Sequence, residues 1–375
     1  MKGKESNEGN AMKFRCERDV LVEAFGAVGR AVSSRGGALP VLSGVRCEIA
    51  GDELRLAGSD LDLTVQTAIT VSGITDGSCV IPARLVGDIV RALEPGAVTI
   101  EVDEDARIAA GRSQFSVRTL PVDEFPRLPQ STDQAVTIAA PDLNEALRQV
   151  VRAASGDDAR PVLTGVLFAA EAGGLRLVAT DSYRLAVRDL PGNSMLQEGQ
   201  QVLVPSKALS ELQRLLGGSG DVAVRLGERE VSFELGSTRI TTRLIEGEFP
   251  NYRQLIPERY PNRLTIGREP LLDAVRRVKL LVKDNTTPVR IALRSGTAEL
   301  TVVSQEVGQA NEEVDAKYEG TDMTVAFNPA YLIDGVEAVL GDEVIIETLD
   351  ALKPATIRST EGDEFVYLLM PVRVS

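Results

Sequence analysis

The sequence contains no histidine and no tryptophan, only 4% aromatic residues, and three cysteines in 375 positions. Without histidine there is no imidazole for general-base work, for a Ser-His or Cys-His nucleophile, or for a zinc ligand. Cys16, Cys47 and Cys79 are odd in number and widely spaced, matching neither a C-x-x-C motif nor a disulfide framework. They read as buried, reduced thiols of a cytoplasmic protein. No uncharged apolar run approaches the length of about 18 residues that a membrane helix needs. The polar stretch Met1–Ala11 lacks the apolar centre of a signal peptide and reads as a disordered tail, with Met12 as an alternative start. There is no G-x-x-x-x-G-K-[ST] and no strand-G-x-G-x-x-G-helix, so no phosphate cradle, metal or cofactor is expected. Gly217-Gly218-Ser219-Gly220 reads as a turn after a helix. Asn285-Thr286-Thr287 fits the glycosylation pattern, but nothing suggests secretion.

Hydrophobic residues make up 43% and charged residues 26%, an ordinary globular balance. At about 100–200 residues per domain, the length allows about two to four domains. The formal net charge of −14 argues against tight nucleic-acid binding over the whole surface.

The chain repeats itself. Pro40-Val41-Leu42-Ser43-Gly44-Val45 returns 121 residues later as Pro161-Val162-Leu163-Thr164-Gly165-Val166, and more weakly as Pro288-Val289-Arg290-Ile291. Leu54-Arg55-Leu56-Ala57-Gly58-Ser59-Asp60 returns at the same offset as Leu175-Arg176-Leu177-Val178-Ala179-Thr180-Asp181, then as Leu300-Thr301-Val302-Val303-Ser304-Gln305. Pro82, Pro205 and Pro329 form a third series, and Phe125-Pro126 with Phe249-Pro250 a fourth. A period this long is a whole domain rather than a solenoid unit. The expected organisation is a tail over 1–11 and three domains over 12–131, 132–258 and 259–375. Leu128-Pro129-Gln130-Ser131 and Ile256-Pro257-Glu258 are the short joints.

Each repeat has the same internal order. Apolar residues at helical spacing (Leu143, Ala146, Leu147, Val150 and Val151 in the second) predict helices over 17–32, 141–155 and 269–283. Strands follow, such as 45–49 and 54–57, joined by turns like Ala50-Gly51-Asp52. Second helices are predicted over 82–93, 205–216 and 329–339, each opened by its proline in the first turn. More strands, such as 98–102 and 115–120, close the unit. The fold class is α+β: two helices on an antiparallel sheet, three times. The six helices together carry +1 in a chain of −14, so they are far less acidic than the rest. Arg148 and Arg152 share one helix face, and Arg276, Arg277, Lys279 and Lys283 crowd one helix end. Such charge is either a solvated face favoured near the helix C-terminus or a lining that tolerates phosphate in loose, sequence-independent contact.

On Ala179-Thr180-Asp181-Ser182-Tyr183-Arg184-Leu185-Ala186-Val187, Glu248-Phe249-Pro250-Asn251-Tyr252-Arg253 and Tyr367-Leu368-Leu369-Met370-Pro371-Val372-Arg373, the chain resembles the bacterial DNA polymerase III β subunits, the sliding clamps. The resemblance covers Met12 to Ser375. It implies three clamp domains per protomer and a homodimer closed head to tail into a ring around duplex DNA, sheets outside and helices inside. It implies a non-catalytic processivity factor tethering the polymerase α subunit, the clamp loader and other proteins with clamp-binding motifs. Their peptides would enter a pocket between the second and third domains. By motif match the pocket takes Leu163, Thr180, Ser182, Tyr183, Arg184, Leu185, Pro250, Gln254, Leu255, Asn328, Tyr331, Leu352, Pro354, Met370, Pro371, Val372 and Arg373. The family often has Gly-His where this chain has Ser182-Tyr183, and Arg where it has Gln254, which bears on peptide preference. Exposure of Met370 and Tyr331 would favour this role over core packing. Phe115 and Val117 would meet Leu280 and Leu281 of the twin at the ring joint, although taken alone all four read as core. Arg35, Arg84, Arg152 and Lys207 are the DNA-facing candidates. No membrane contact is implied, and the location is the cytoplasm, on the nucleoid during replication.

Two other classes remain open at this point. Asp60 and Asp181 occupy equivalent positions and would be the acid–base pair of an enzyme, but the third copy has Gln305 and a turn-capping role suits them better. The other class is a non-catalytic scaffold of repeated domains that does not act on DNA.

Overall fold

The computed structural model describes residues 11–33, 39–128, 134–171, 173–217, 220–283 and 287–373. The expected tail (except Ala11), Arg35 and its loop, most of the first joint, Gly218-Ser219 and Asn285-Thr286 lie outside the described residues. The chain divides into two compact units, Met1–Ala140 with Arg214–Leu244 and Pro141–Gln213 with Ile245–Ser375. The middle repeat therefore contributes to both units.

Among the described residues there are six α-helices: α1 (Arg18–Val28), α2 (Ala83–Ala92), α3 (Ala140–Val150), α4 (Ser206–Leu215), α5 (Arg268–Lys279) and α6 (Pro329–Ala338). Three end sooner than their apolar pattern, because a 3-10 turn continues α1 over Gly29–Ala31 and α3 over Val151–Ala153, and α5 stops at Lys279. On α1, Leu21, Ala24, Phe25 and Val28 are buried at helical spacing, and each large side chain contributes about 2 kcal/mol by leaving water. Of Pro82, Pro205 and Pro329, only Pro329 stands in the first turn of its helix. Pro82 and Pro205 instead end the strands Gly77–Pro82 and Gln201–Pro205, directly before α2 and α4. A proline N-cap also lacks an N–H that would be orphaned there.

The first unit holds a five-stranded sheet in the order Ser72–Thr75, Met12–Glu17, Ala97–Val102, Asp105–Ala110, Ser113–Arg118. Its eight-stranded sheet runs Ala135–Ala139, Asp221–Leu226, Glu230–Leu235, Thr238–Arg243, Leu63–Thr70, Glu53–Ser59, Gly44–Ala50, Gly77–Pro82. The second unit holds a twelve-stranded sheet that begins Gln201–Pro205, Gly165–Glu171, Gly174–Thr180, Arg184–Pro191 and continues through Phe365–Leu369 into the third repeat. Neighbouring strands pair antiparallel. Two pairings weld repeats together: Thr67 opposes Thr238, and Arg184 opposes Leu369. Each turns two exposed edges into one continuous sheet.

The repeated Pro-Val-Leu-[Ser/Thr]-Gly motif is one structural device used twice. Pro40–Ser43 and Pro161–Thr164 are 3-10 turns, each closed by a hydroxyl on the proline carbonyl: Ser43 to Pro40 and Thr164 to Pro161, both at 2.7 Å. The following glycine is needed for close approach. A Cβ at Gly44 would lie 2.5 Å from Val80 Cγ1, and one at Gly165 would lie 2.8 Å from Ile245 Cδ1.

The cysteines are buried thiols, as expected, but not all are far apart. Cys47 and Cys79 oppose each other on paired strands. Their mutual hydrogen bond, with burial, raises the Cys47 pKa well above the usual thiol value. The ring-joint candidates are not a core set. Val117 is buried at 6% exposure, but Phe115 is 41% and Leu280 82% exposed, and Leu281 is half-buried. Val117 is the one buried position of the edge strand Ser113–Arg118, and Phe115, two residues earlier on the same face, is left in water. Leu280 lies beyond the last turn of α5, where the apolar stripe no longer meets the sheet.

Candidate functional site

Asp60 and Asp181 build turns rather than a reaction centre. Asp181 Oδ1 accepts from the backbone N–H groups of Tyr183 (2.9 Å) and Arg184 (3.0 Å). Asp60 Oδ1 accepts in the same way from Asp62 (3.2 Å) and Leu63 (2.8 Å). In both copies a non-glycine residue takes the left-handed region, Leu61 and Ser182 each at φ 80°. That conformation costs an L-residue about 1–2 kcal/mol. Ser182 also accepts a bond from Arg160 Nη1 at 3.1 Å on the surface. We expect Ser182→Gly to stabilise the protein by about 0.5–1 kcal/mol and Ser182→Val to cost about 1–2 kcal/mol in urea unfolding. The reverse order would contradict a strained turn.

The second turn presents Tyr183, 61% exposed, and aims Arg184 inward. Arg184 Nε donates to Asp181 Oδ2 at 3.0 Å, and Nη1 donates to Asp334 Oδ2 on α6. The guanidinium carbon lies 4.3 Å from the centroid of the Tyr331 ring, a cation–π stack. Beneath it, the Tyr367 hydroxyl donates to the Tyr331 carbonyl at 2.9 Å. Burial pushes the Tyr367 phenol well above its usual pKa, against the pull of Arg184. Asn328 caps α6 by accepting from the N–H groups of Ala330 (2.9 Å) and Tyr331 (3.2 Å), which fixes the turn that carries Tyr331.

The C-terminal segment completes the patch. The strand Phe365–Leu369 pairs with Arg184–Pro191, then Met370 N donates to Tyr183 O at 2.9 Å and Val372 N to Ala326 O at 2.7 Å. Met370 is 38% exposed, Pro371 and Val372 are half-buried, and Arg373 is exposed. The structure thus brings together Thr180, Ser182, Tyr183, Arg184, Asn328, Tyr331, Met370 and Val372 of the expected pocket. Leu185 is fully buried in the cluster of Leu167, Val178, Phe249, Tyr252 and Leu368, so it lies under the patch and offers no surface. Leu163 is buried, Pro354 half-buried, and Pro250, Gln254, Leu255 and Leu352 are exposed on other segments. Among the described residues these six share no hydrogen bond with the Arg184 group.

Sequence reasoning missed Arg160, Asp334 and Tyr367. Asp334 follows Tyr331 by three positions, one turn of α6, and that spacing was the available signal.

Of the DNA-facing candidates, Arg84 and Lys207 are exposed. Arg152 is exposed but paired, with Glu337 at 2.8 Å and Asp334 at 3.5 Å. Arg276 reaches Glu337 at 2.9 Å, and Arg277 binds Glu312 through two bonds of 2.7 and 2.9 Å. Burial would raise the Glu337 pKa, but hydrogen bonds from Arg276 and Arg152 outweigh it and hold the carboxyl below its usual value. Arg148 caps the end of α6, donating to the carbonyls of Glu337 (2.8 Å) and Ala338 (3.0 Å). Much of the helices' positive charge is therefore spent inside the protein.

A threefold α+β chain with an amphipathic patch where its second and third repeats join defines a repeated-domain clamp. Family models for the N-terminal, central and C-terminal domains of the DNA polymerase III beta subunit match residues 12–129, 137–251 and 253–373. The beta sliding clamp of Streptomyces coelicolor is 36% identical over 379 residues, covering 97% of this chain and 100% of that relative. A Bacillus subtilis sliding clamp structure aligns with a TM-score of 0.90 at 31% identity, covering 97% of this chain and 100% of that one. A Bartonella birtlesii clamp, solved bound to griselimycin, aligns at 0.90 and 33% identity with the same coverage. The chain belongs to the DNA polymerase III beta subunit family, the beta sliding clamps. Among the described residues no helix is long and apolar enough to cross a membrane.

Proposed function

We propose that the protein is the processivity factor of a replicative DNA polymerase, a non-catalytic subunit acting as a ring. Its domains are 12–131, 132–258 and 259–375. Two protomers enclose duplex DNA, and the ring slides without sequence preference. The observation that carries the reading is the ordered match of all three β-subunit domain models along one chain. Confinement suits a chain of net charge −14, for which adhesion to phosphate is unfavourable. Weak contacts come from Arg84, Arg152 and Lys207, with Arg152 exchanging its carboxylate partners for phosphate. The protein works in the cytoplasm, on the nucleoid while replication proceeds.

The patch around Tyr183, Arg184, Tyr331 and Met370 receives the linear peptides of the polymerase α subunit, the clamp loader and other clamp-binding proteins. Exposed aromatic and thioether surface takes the aliphatic anchors, and the rim of Arg160, Asn328 and Arg373 takes polar groups. Pro250, Gln254, Leu255, Leu352, Pro354, Pro371 and Val372 extend this surface, and Leu163, Thr180 and Leu185 support it from beneath.

Phe115 and Leu280 are large apolar side chains left in water, and they mark the two sides of the ring joint, with Leu281 beside them and Val117 stiffening the edge strand. Replacing both Leu280 and Leu281 with Asp is expected to give folded monomers in sedimentation velocity. A dimer of unchanged stability would remove these residues from the joint.

A further inference from the structure

The eight-stranded sheet carries a hollow of about 840 Å³ that the clamp reading leaves unused. Along Gly44–Ala50, Val45, Cys47 and Ile49 are buried, while Arg46 and Glu48 point to the opposite face. The register carries that face sideways. Arg46 opposes Ala57, Ala57 opposes Gln66, Gln66 opposes Arg239, and Arg239 opposes Glu234. Two positions along, Glu48 opposes Arg55 and Arg55 opposes Ala68. The two alanines leave a depression among long side chains, and Arg127 and Leu128 stand at its margin.

The duplicated copy shows the same face filled. Leu167, Val178 and Val187 stand 121 residues beyond Arg46, Ala57 and Gln66, and Ala169 stands beyond Glu48. They are buried with Phe249 and Tyr252 in one apolar cluster. One repeat thus clads this face with aliphatic and aromatic residues, and the other keeps it polar and open. The second copy has Leu167 in place of Arg46 and Val187 in place of Gln66, so folding requires neither polar side chain there, while Arg55 is kept as Arg176, which pairs with Asp189 at 2.6 Å.

The lining has four arginines (Arg46, Arg55, Arg127, Arg239) and two glutamates (Glu48, Glu234), a positive excess on an acidic chain. Arg46 pairs with Glu48 at 3.2 Å, Arg55 with Glu53 at 2.6 Å and Arg239 with Glu234 at 2.6 Å, while Arg127 is exposed. Arg46 Nε and Gln66 Nε2 have no acceptor. Donors in excess call for a ligand rich in acceptors. Glu48 and Glu234 repel a continuous row of phosphates, whereas separated carboxylates fit between them. The apolar floor of Ala57 and Ala68 suits an aliphatic side chain. We propose that this hollow is a docking site for an extended acidic peptide segment of a partner protein, with carboxylates on the arginines and an aliphatic residue over Ala57 and Ala68.

The test is fluorescence anisotropy with the full chain and a labelled hexapeptide of two Glu-Asp-Leu repeats. Saturable binding that weakens with salt is expected. Arg127→Glu combined with Arg239→Glu should weaken it by about tenfold or more. Arg46→Leu with Gln66→Val, which copies the second repeat's own residues, should abolish it while circular dichroism stays unchanged. Tyr331→Ala, in the patch described above, should leave it intact, so failure here is separable from failure of that patch. Absence of saturable binding, equal binding by the charge-reversed protein, or displacement by phosphate or duplex DNA as readily as by unlabelled peptide would overturn the proposal.

Discussion

Arg184→Ala is expected to destabilise the protein by about 3 kcal/mol and to remove partner-peptide binding together with that stability. The side chain of Arg184 is 10% exposed and that of Asp181 11%, so the charges meet largely away from water. Removing the cation leaves the largely buried Asp181 without its arginine and Asp334 with only Arg152 at 3.5 Å, and Tyr331 loses the group stacked on its ring. Arg184→Lys should recover part of the stability and little of the binding. An ammonium is a point charge that cannot span two carboxylates and a ring face as a guanidinium does. Urea unfolding and peptide titration on the same samples decide the matter. An unfolding curve like that of the unaltered protein would mean the pair is no more than a surface bridge of about 0–1 kcal/mol.

Deleting Met370–Ser375 is expected to abolish binding of partner peptides while the dimer stays intact. The strand Phe365–Leu369 ends just before the deletion, so its pairing with Arg184–Pro191 survives. What is lost is the Met370 N–H bond to Tyr183, the Val372 N–H bond to Ala326, and the exposed thioether itself. Affinity should fall by about a hundredfold or more, as when a central anchor is removed. Normal peptide affinity in the shortened protein would refute the patch as the docking site.

Local devices were legible because their residues are adjacent in the chain. The Pro-Val-Leu-[Ser/Thr]-Gly turn and the Asp cap each complete their hydrogen bonds within a few positions, so the repeat carried them unchanged. The six helices followed from apolar spacing, except where a 3-10 turn or a strand-ending proline moved an end. The contacts at the candidate site were less visible. Arg184 and Asp334 meet across about 150 residues of chain, through a strand pairing that no periodicity reveals. The opposition of Cys47 and Cys79 was hidden in the same way. Phe115 and Leu280 misled, since an apolar residue reads as core whether it fills its own domain or awaits another surface. The resemblance, not the pattern, pointed to them as joint residues. Burial distinguishes the repeats: along Val45-Arg46-Cys47-Glu48-Ile49 it alternates, whereas Val166, Leu167, Phe168 and Ala169 are buried on both sides of their strand.

Retention on DNA of differing topology tests the central claim most directly. The protein is loaded onto nicked circular duplex, passed through a sizing column in high salt, and the circle is then cut once. The account predicts that the protein stays with the circle at a salt concentration that strips ordinary electrostatic binders, and leaves when the DNA gains ends. Equal retention on circular and linear DNA, or loss from both at the same salt, would contradict it.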